Sequence, residues 1–422
     1  MITSLARSWI VWACAALFFC YQFLLRVSPS VMTHELMADL RVDACTLGLL
    51  TSFYFYGYAG FQLPVGSLLD KFGPRRLLVC AALTCTGGSF LFSSADTVFI
   101  ASLSRFLIGA GSAFGFLSCM KLGTLWFPPQ RISIIVGLTL LLGTSGGMSG
   151  SYPMSFLVDA FGWREAVWLT ALGGVFIAFL AAFIVRDHPP KVLEDYINQH
   201  HAIGNPNLGI LEGLITIIKK PQTWLLAAYG FMMYVPIAGF ADMWGVPFLT
   251  HVHHMDKQSA SLATTLLYMG VGIGTPLSAL LSDYLKQYKG VLLTASLGAL
   301  FAFMLIVYGP TFPTPITLGI LLFAGVMLGG QFMAFSIVCE INPLSVSGMA
   351  TGFQNLVSMT SGIVLQPLIG WLLDLFWESA AENGIRLYST GAYQMALTSL
   401  IIALVLATLA AIFIKEAYPE RE

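Results

Sequence analysis

Twelve stretches of about twenty apolar residues recur along the chain, separated by mostly short polar connections. Each stretch is long enough to cross the hydrocarbon layer of a bilayer as a helix, which takes about 20 residues. Composition agrees, because 57% of the 422 residues are hydrophobic and only 10% are charged, whereas soluble domains have roughly 25% charged residues. The sequence therefore predicts an all-α membrane protein with twelve transmembrane helices. They begin near Trp9, Thr46, Leu77, Val98, Ile132, Ala166, Gln222, Ser259, Val291, Ile316, Met349 and Tyr393.

The longest polar connection divides these helices into two sets of six. It contains the stretch Gly204-Asn205-Pro206-Asn207, which is typical of a flexible surface linker. We predict an N-terminal six-helix bundle over residues 1–186, a cytoplasmic linker over 187–220 and a C-terminal six-helix bundle over 221–422. Lysine and arginine in short loops mark the cytoplasmic side, and thirteen fall on one side against four on the other. The thirteen are Arg7, Lys71, Arg75, Arg76, Arg131, Arg186, Lys191, Lys219, Lys220, Lys286, Lys289, Lys415 and Arg421, and the four are Arg41, Arg164, Lys257 and Arg386. This predicts a multi-pass protein of the cell inner (cytoplasmic) membrane with both termini in the cytoplasm.

The two halves repeat each other at an offset of 215 positions. The matched pairs are Trp9 with Trp224, Gly57 with Gly272, Gly137 with Gly352, Gly147 with Gly362, and residues 156–161 with residues 371–376. One offset that holds from the first to the fifth span of each half is hard to obtain by chance. Transporters are commonly built from such repeats, with the solute held where the repeats meet.

The loop after the second span reads Gly66-Ser67-Leu68-Leu69-Asp70-Lys71-Phe72-Gly73-Pro74-Arg75-Arg76. It resembles the signature loop of the major facilitator superfamily, except that Pro74 stands where that family often has a basic residue. The resemblance implies two pseudo-symmetric six-helix bundles and a gate latch formed by Gly66, Asp70, Gly73, Arg75 and Arg76. Glycines would permit close helix approach and a tight turn. Asp70 would lie against the positive N-terminal end of the helix that begins near Ser347.

Two arginines lie within predicted spans, where a charge costs about 2.5 kcal/mol or more and needs a reason. Arg26 is late in span one and Arg105 is in the outer part of span four, on helices that line the cavity in this superfamily. Guanidinium groups facing one aqueous pocket suit a carboxylate or a phosphate. Two alternatives stay open, namely an interhelical pair such as Arg26 with Asp242 and a gating role for Arg105. Asp242 lies one position from the repeat mate of Arg26.

Polar and aromatic residues at similar depth complete the predicted binding site. The substrate-binding candidates besides the two arginines are Gln22, Tyr54, Tyr58, Tyr234, Gln354 and Asn355. The arginine pair resembles the anion:cation symporter branch, which imports organic anions with protons or sodium. That branch often has acids at the positions of Leu25 and Ser112, so Asp242 or Glu340 would have to carry the coupling proton. Otherwise the protein would be a uniporter.

These observations predict a secondary transporter that moves a small, anionic organic solute, such as a carboxylate, amino acid or peptide, by rocker-switch alternating access, with ion-coupled uptake. The alternative within this class is a proton-driven exporter of amphipathic compounds.

The sequence has no HExxH, Gly-x-Ser-x-Gly or phosphate-cradling motif, which argues against a membrane-embedded enzyme, and its tails are too short for a sensor's signalling domain. We expect no catalytic residue, metal or cofactor, and we interpret the His251–His254 cluster as a wet outer loop. A formal charge of −1 argues against nucleic acid as a partner. One chain contains both halves, so we expect a functional monomer.

Overall fold

The computed structural model describes residues 2–189, 210–343, 346–382 and 385–418, and these residues are almost entirely helical. The helices of the first half are α1 (Ile2–Val27), α2 (Thr33–Leu40), α3 (Ala44–Phe72), α4 (Pro74–Ser93), α5 (Val98–Ser112), α6 (Phe114–Trp126), α7 (Ile132–Phe161) and α8 (Trp163–Ile184). Those of the second half are α9 (Ile210–Ile218), α10 (Pro221–Val235), α11 (Gly245–Val252), α12 (Lys257–Leu285), α13 (Lys289–Tyr308), α14 (Thr314–Gly329), α15 (Met333–Glu340), α16 (Ser347–Leu375) and α17 (Thr390–Phe413). Strands β1 (Ala381–Glu382) and β2 (Ile385–Arg386) pair antiparallel between α16 and α17.

Eleven helical segments of the described chain are long and apolar enough to cross a membrane. They confirm eleven of the twelve predicted spans. The remaining predicted span is the second one, which corresponds to α3. This is a continuous helix of 29 residues, about 43 Å long at 1.5 Å per residue. It is not among the eleven.

Four of the spans are composite helices rather than single α-helices. Span one joins α1 to the 3-10 turn Ser28–Val31. Span four consists of α5 and α6, and span ten joins α14 to α15 through the 3-10 turn Gly330–Phe332. Span seven joins α10 to α11 through a π-helical segment, Pro236–Trp244. Proline at the start of that segment lacks the amide hydrogen that an α-helix would use there. π-helical turns are rare and occur frequently at functional sites.

The described residues fall into two compact units. Unit 1 comprises residues within 1–28 and 53–204, and unit 2 comprises residues within 29–52 and 205–422. Residues 29–52, which hold α2 and the first turns of α3, thus pack with elements of the second half of the sequence. Residues 190–209 of the predicted linker lie outside the described residues, and α9 forms in the remainder of it.

Glycine allows close helix packing inside each unit, as is common in membrane bundles. In unit 1, a Cβ atom at Gly109 of α5 would fall on the carbonyl oxygen of Tyr54 in α3, and one at Gly146 of α7 would fall on the carbonyl of Cys20 in α1. In unit 2, a Cβ atom at Gly274 of α12 would overlap the backbone of α14. These backbone contacts fix the helices that carry the candidate site residues.

Candidate functional site

Three predicted site residues of unit 1 lie together on α1 and α3. The Tyr54 hydroxyl donates to Oε1 of Gln22 at 2.7 Å, and Nε2 of Gln22 donates to the carbonyl of Phe19 at 3.1 Å. The Tyr58 ring stacks on the Tyr54 ring with centroids 6.2 Å apart, as expected for residues one helical turn apart. All three side chains are buried. The two helices therefore share a polar face inside the bundle.

Arg105 of α5 holds the end of α1. Its guanidinium donates to the carbonyl of Leu25 at 2.7 Å and to the carbonyl of Arg26 at 3.2 Å. These carbonyls belong to the last turn of α1, where helix carbonyls have no intrahelical partner. The guanidinium also lies 5.2 Å from the centre of the Tyr54 ring. Arg105 is thus a helix cap, a structural role that sequence spacing did not predict.

Arg26 is buried near the end of α1, with 3% of its surface exposed. It stands four residues after Gln22, so both side chains leave α1 on the same face. Its guanidinium lies over the Phe23 ring, 4.1 Å from the ring centre. Because Arg105 fixes the carbonyls of α1 and Tyr54 fixes Gln22, the polar face that carries Arg26 is rigid.

The predicted gate latch is attached within unit 1 by contacts that the sequence did not indicate. Asp70 accepts from Nζ of Lys121 on α6 at 2.7 Å. The amide of Arg75 donates to Asp187 at 2.8 Å, and its guanidinium donates to the carbonyl of Ala182 at the end of α8. Gly73 has φ of +80°, a conformation that favours glycine.

The two glycines of that loop have different surroundings. A Cβ atom at Gly66 would meet nothing within 4 Å among the described residues. Its part in a gate latch stays a prediction. The tight turn expected at Gly73 is present, since its positive φ begins the loop into α4.

In unit 2, Asp242 lies in the π-helical segment of span seven and is buried. The Tyr268 hydroxyl of α12 donates to Oδ1 of Asp242. Gln366 of α16 braces the segment, because its Nε2 donates to the carbonyl of Ala238 at 3.0 Å while its backbone carbonyl accepts from Nε1 of Trp244 at 3.2 Å. Sequence reasoning missed both the π-helical geometry and Gln366; Pro236 within an apolar span was the available signal.

The remaining predicted residues of unit 2 are dispersed. Gln354 is buried and donates from Nε2 to the carbonyl of Leu226 at 3.1 Å, which ties α16 to α10. Tyr234 is buried on α10, and Asn355 is partly exposed. Glu340 is exposed at the end of α15. Of the two predicted proton carriers, Asp242 is therefore the buried one.

A polar cluster that we call the clasp holds the start of α3 to the α16–α17 connection, within unit 2. Asp374 accepts from the amide of Cys45 at 2.7 Å and from the Tyr388 hydroxyl at 2.6 Å. Arg386 donates to Asp374 at 2.9 Å and lies 3.6 Å from Asp43. The first amides of a helix lack intrahelical partners, so Asp374 acts as a distant cap. Nothing in the sequence signalled this arrangement beyond the charges themselves.

Two residues of the histidine cluster, His251 and His254, are exposed, as expected for a wet loop. His253 differs, because it is buried and its Nε2 lies 2.9 Å from the carbonyl of Ile306. Burial lowers the pKa of His253, and its neighbour His254 adds to this effect by charge repulsion. The described residues contain no group of three or more His, Cys, Asp or Glu that could hold a metal ion.

The chain is similar in sequence and in fold to known membrane transporters. The family model of the Major Facilitator Superfamily matches residues 11–367. The hexuronate transporter of Bacillus subtilis (strain 168) is 24% identical over 83% of this chain and 85% of its own. The probable galactarate/D-glucarate transporter GudP of Escherichia coli (strain K12) is 23% identical over 91% and 90%. The structure of a bacterial homologue of the human lysosomal transporter Spinster, inward-facing and unoccupied, superposes with a TM-score of 0.75 at 17% identity, over 97% of this chain and 96% of that one. The chain is a membrane-spanning solute transporter and belongs to the Major Facilitator Superfamily.

Proposed function

We propose that this protein takes up a small hydroxylated organic anion, of the sugar-acid type, by alternating access of its two six-helix halves. The observation that carries the proposal is Arg26, a permanent cation buried on a rigid face of α1. A guanidinium recognises a carboxylate with two parallel hydrogen bonds. The relatives reported above are named for hexuronate and for galactarate or D-glucarate, which combine carboxylates with hydroxyl groups.

Neighbouring groups suit the rest of such a solute. The Tyr54 hydroxyl donates to Gln22, and its oxygen keeps lone pairs that can accept from a solute hydroxyl. The Tyr58 ring, stacked on Tyr54, offers an apolar face for the carbon skeleton. Arg105 donates to two backbone carbonyls at the end of α1, so we assign the positioning of α1 to Arg105.

Ion coupling belongs to Asp242 in this proposal. Buried ionisable residues in membrane spans commonly mark proton or ion pathways, and broken helices build the ion sites of many transporters. Asp242 combines both features, because it is buried in a π-helical segment and accepts from Tyr268. A proton on this carboxylate would change its charge as the two halves rock. Together these roles give a proton-coupled importer that works as a monomer in the cytoplasmic membrane.

Uptake of radiolabelled D-glucuronate into proteoliposomes tests the proposal. Arg26→Gln should lower uptake at least about thirtyfold, since losing one partner of a buried charge pair costs 2 kcal/mol or more. Arg26→Lys keeps the charge but loses the two parallel hydrogen bonds of a guanidinium, so its uptake should lie between those of the unmodified protein and Arg26→Gln. Arg164→Gln is the matched control, because it removes an arginine whose ion pair with Asp96 is exposed. Unchanged uptake by Arg26→Gln would refute anion binding by Arg26.

A second measurement separates coupling from binding. Asp242→Asn should abolish accumulation driven by an imposed proton gradient while counterflow exchange of D-glucuronate persists, because exchange needs no net proton movement. Gradient-driven accumulation equal to that of the unmodified protein would exclude Asp242 as the proton carrier. Transport of amphipathic compounds in the outward direction, without sugar-acid uptake, would instead favour the proton-driven exporter.

A further inference from the structure

A cavity lined by both polar and apolar side chains lies entirely within unit 2. Its volume is about 310 Å³, at the lower end of the range of small-molecule sites. Its wall is formed by residues 30–37, by the turn from the π-helical segment into α11, by Lys257 and by the α16–α17 connection. These loops are on the side that the sequence assigns to the outside. Arg26, Gln22, Tyr54 and Arg105 do not contribute to this wall.

The chemistry of the wall suits a hydroxylated carboxylate. Two permanent cations, Lys257 and Arg386, face the cavity, and Glu35 is the one acidic side chain among its described lining residues. Apolar side chains line part of the wall, and aromatic rings and hydroxyl groups line another part, namely Trp244, Tyr388, Tyr393, Ser30, Thr33 and Thr250. Cations beside hydroxyl groups and aromatic faces match the carboxylate, the hydroxyls and the carbon skeleton of a sugar acid.

Each of the two cations pairs with a carboxylate from residues 29–52, and Arg386 also pairs with Asp374. Lys257 binds Glu35 at 2.7 Å, and Arg386 lies 3.6 Å from Asp43. The side chains are partly exposed, by 23% and 34% in the first pair and by 34% and 32% in the second. Pairs with this much exposure contribute little to stability, so a carboxylate from solution can replace them. Asp374, bound to Cys45 and Tyr388 as well, is the firmer partner of Arg386.

We propose that this cavity binds a small hydroxylated carboxylate, and that the bound ligand replaces Glu35 at Lys257 and Asp43 at Arg386. The ligand class rests on the proposed function, since the same solute would be met at this site before it reaches Arg26. Glu35 and Asp43 then act as built-in competitors. Binding would loosen the attachment of residues 29–52 to the rest of unit 2, because the ligand would replace their carboxylates at the two cations.

Competition predicts opposite effects for the two partners of one ion pair. Glu35→Gln removes the competitor and should tighten binding about two- to fivefold, the equivalent of a partly exposed pair. Lys257→Gln removes the cation and should weaken binding at least about tenfold, the equivalent of a charged hydrogen bond. A merely structural ion pair would instead give the same effect for both changes. Arg164→Gln, which removes another exposed pair, should change nothing.

Calorimetric titration of the purified full chain with D-glucuronate tests this inference. All variants carry Arg26→Gln, which removes the transport site proposed above. We expect residual binding of D-glucuronate that Glu35→Gln tightens and Lys257→Gln weakens. Thermal stability equal to that of the parent protein confirms that each variant is folded. Should Glu35→Gln fail this check, Glu35→Asp serves as a second variant, because it keeps the competing carboxylate and should therefore keep the affinity of the parent protein.

The outcomes separate the two proposals. If the unmodified protein transports D-glucuronate but the Arg26→Gln protein binds none, the cavity site is refuted and the transport proposal stands. If Arg26→Gln leaves transport unchanged while the opposite shifts are observed, the cavity site stands and the assignment of Arg26 fails. Shifts in the same direction for Glu35→Gln and Lys257→Gln refute the competition.

Discussion

Replacing Asp374 with asparagine tests how the start of α3 is held in unit 2. The carboxylate accepts from the amide of Cys45 at 2.7 Å, from the Tyr388 hydroxyl at 2.6 Å and from Arg386 at 2.9 Å. Its side chain is only 11% exposed. Asparagine preserves the shape but removes the charge, and its amino group would face one of these donors. Asp374→Asn therefore weakens the whole clasp while adding no bulk.

The magnitude follows from the individual contacts. A hydrogen bond to a charged group contributes about 1.5–3 kcal/mol, and the favourable charge at the helix N-terminus adds about 0.3–1 kcal/mol. The pair with Arg386, whose side chain is 34% exposed, adds less than about 1 kcal/mol because water screens it. We expect local opening at the start of α3 to become easier by about 2–3 kcal/mol, which is about 30- to 150-fold.

Hydrogen exchange of the purified protein, followed by mass spectrometry of peptides that cover residues 44–47, measures this opening. Asp374→Asn should accelerate exchange there by that factor. Tyr388→Phe removes one neutral hydroxyl and should accelerate it about fivefold, as for a bond of about 1 kcal/mol. Asp96→Asn, at an exposed ion pair in unit 1, is the control and should leave these peptides unchanged. Equal rates in Asp374→Asn and the unmodified protein would refute the clasp.

Three further predictions concern packing and charge. Gly109→Ala places a Cβ atom on the carbonyl of Tyr54, and this overpacking of about 1–3 kcal/mol should lower the melting temperature. Gly137→Ala is the control and should not lower it, because a Cβ atom there would meet open space. Equal melting temperatures for the two variants would contradict the prediction. Burial raises the pKa of Asp43, but hydrogen bonds from Thr46 and the Arg386 charge lower it more. The stabilisation that the Asp43 carboxylate contributes is thus complete above the unfolded pKa of about 3.9 and is lost as pH falls through the lower folded pKa. The difference in melting temperature between Asp43→Asn and the parent protein should therefore shrink over this pH range, and a constant difference would contradict the prediction. Glu416 accepts from two amides at the start of α13 at 2.9 Å, so Glu416→Gln should cost about 1 kcal/mol in thermal denaturation, and no loss would exclude this cap.

Much of the fold could be predicted because membrane spans are encoded locally. An apolar run of sufficient length is visible without knowledge of its neighbours, and α5 and α7 begin at Val98 and Ile132, the residues predicted for spans four and five. The α16–α17 hairpin and the packing of residues 29–52 in unit 2 depend on contacts between distant parts of the chain. No local pattern contains that information.

The candidate site was predicted less well, for the same reason. Tyr54 and Tyr58 were identified by their helical spacing and Gln22 by its depth in span one, and the structure brings the three together. The role of Arg105 depends on two carbonyls about 80 residues earlier in the chain. Sequence shows that a charge is buried, whereas its partner depends on how the helices pack.

The π-helical segment of span seven leaves the two halves of the sequence in register. Trp9 and Trp224 precede it, and Gly57 and Gly272 follow it, at the same offset of 215 positions, so no net insertion separates these pairs. Arg26 then corresponds to residue 241, one position before Asp242. A π-helix closes its hydrogen bonds over one residue more than an α-helix does, so side chains of Pro236–Trp244 leave span seven at other angles than the side chains of a regular α-helix would. Sequence correspondence between the halves therefore does not give the orientation of Asp242 from that of Arg26.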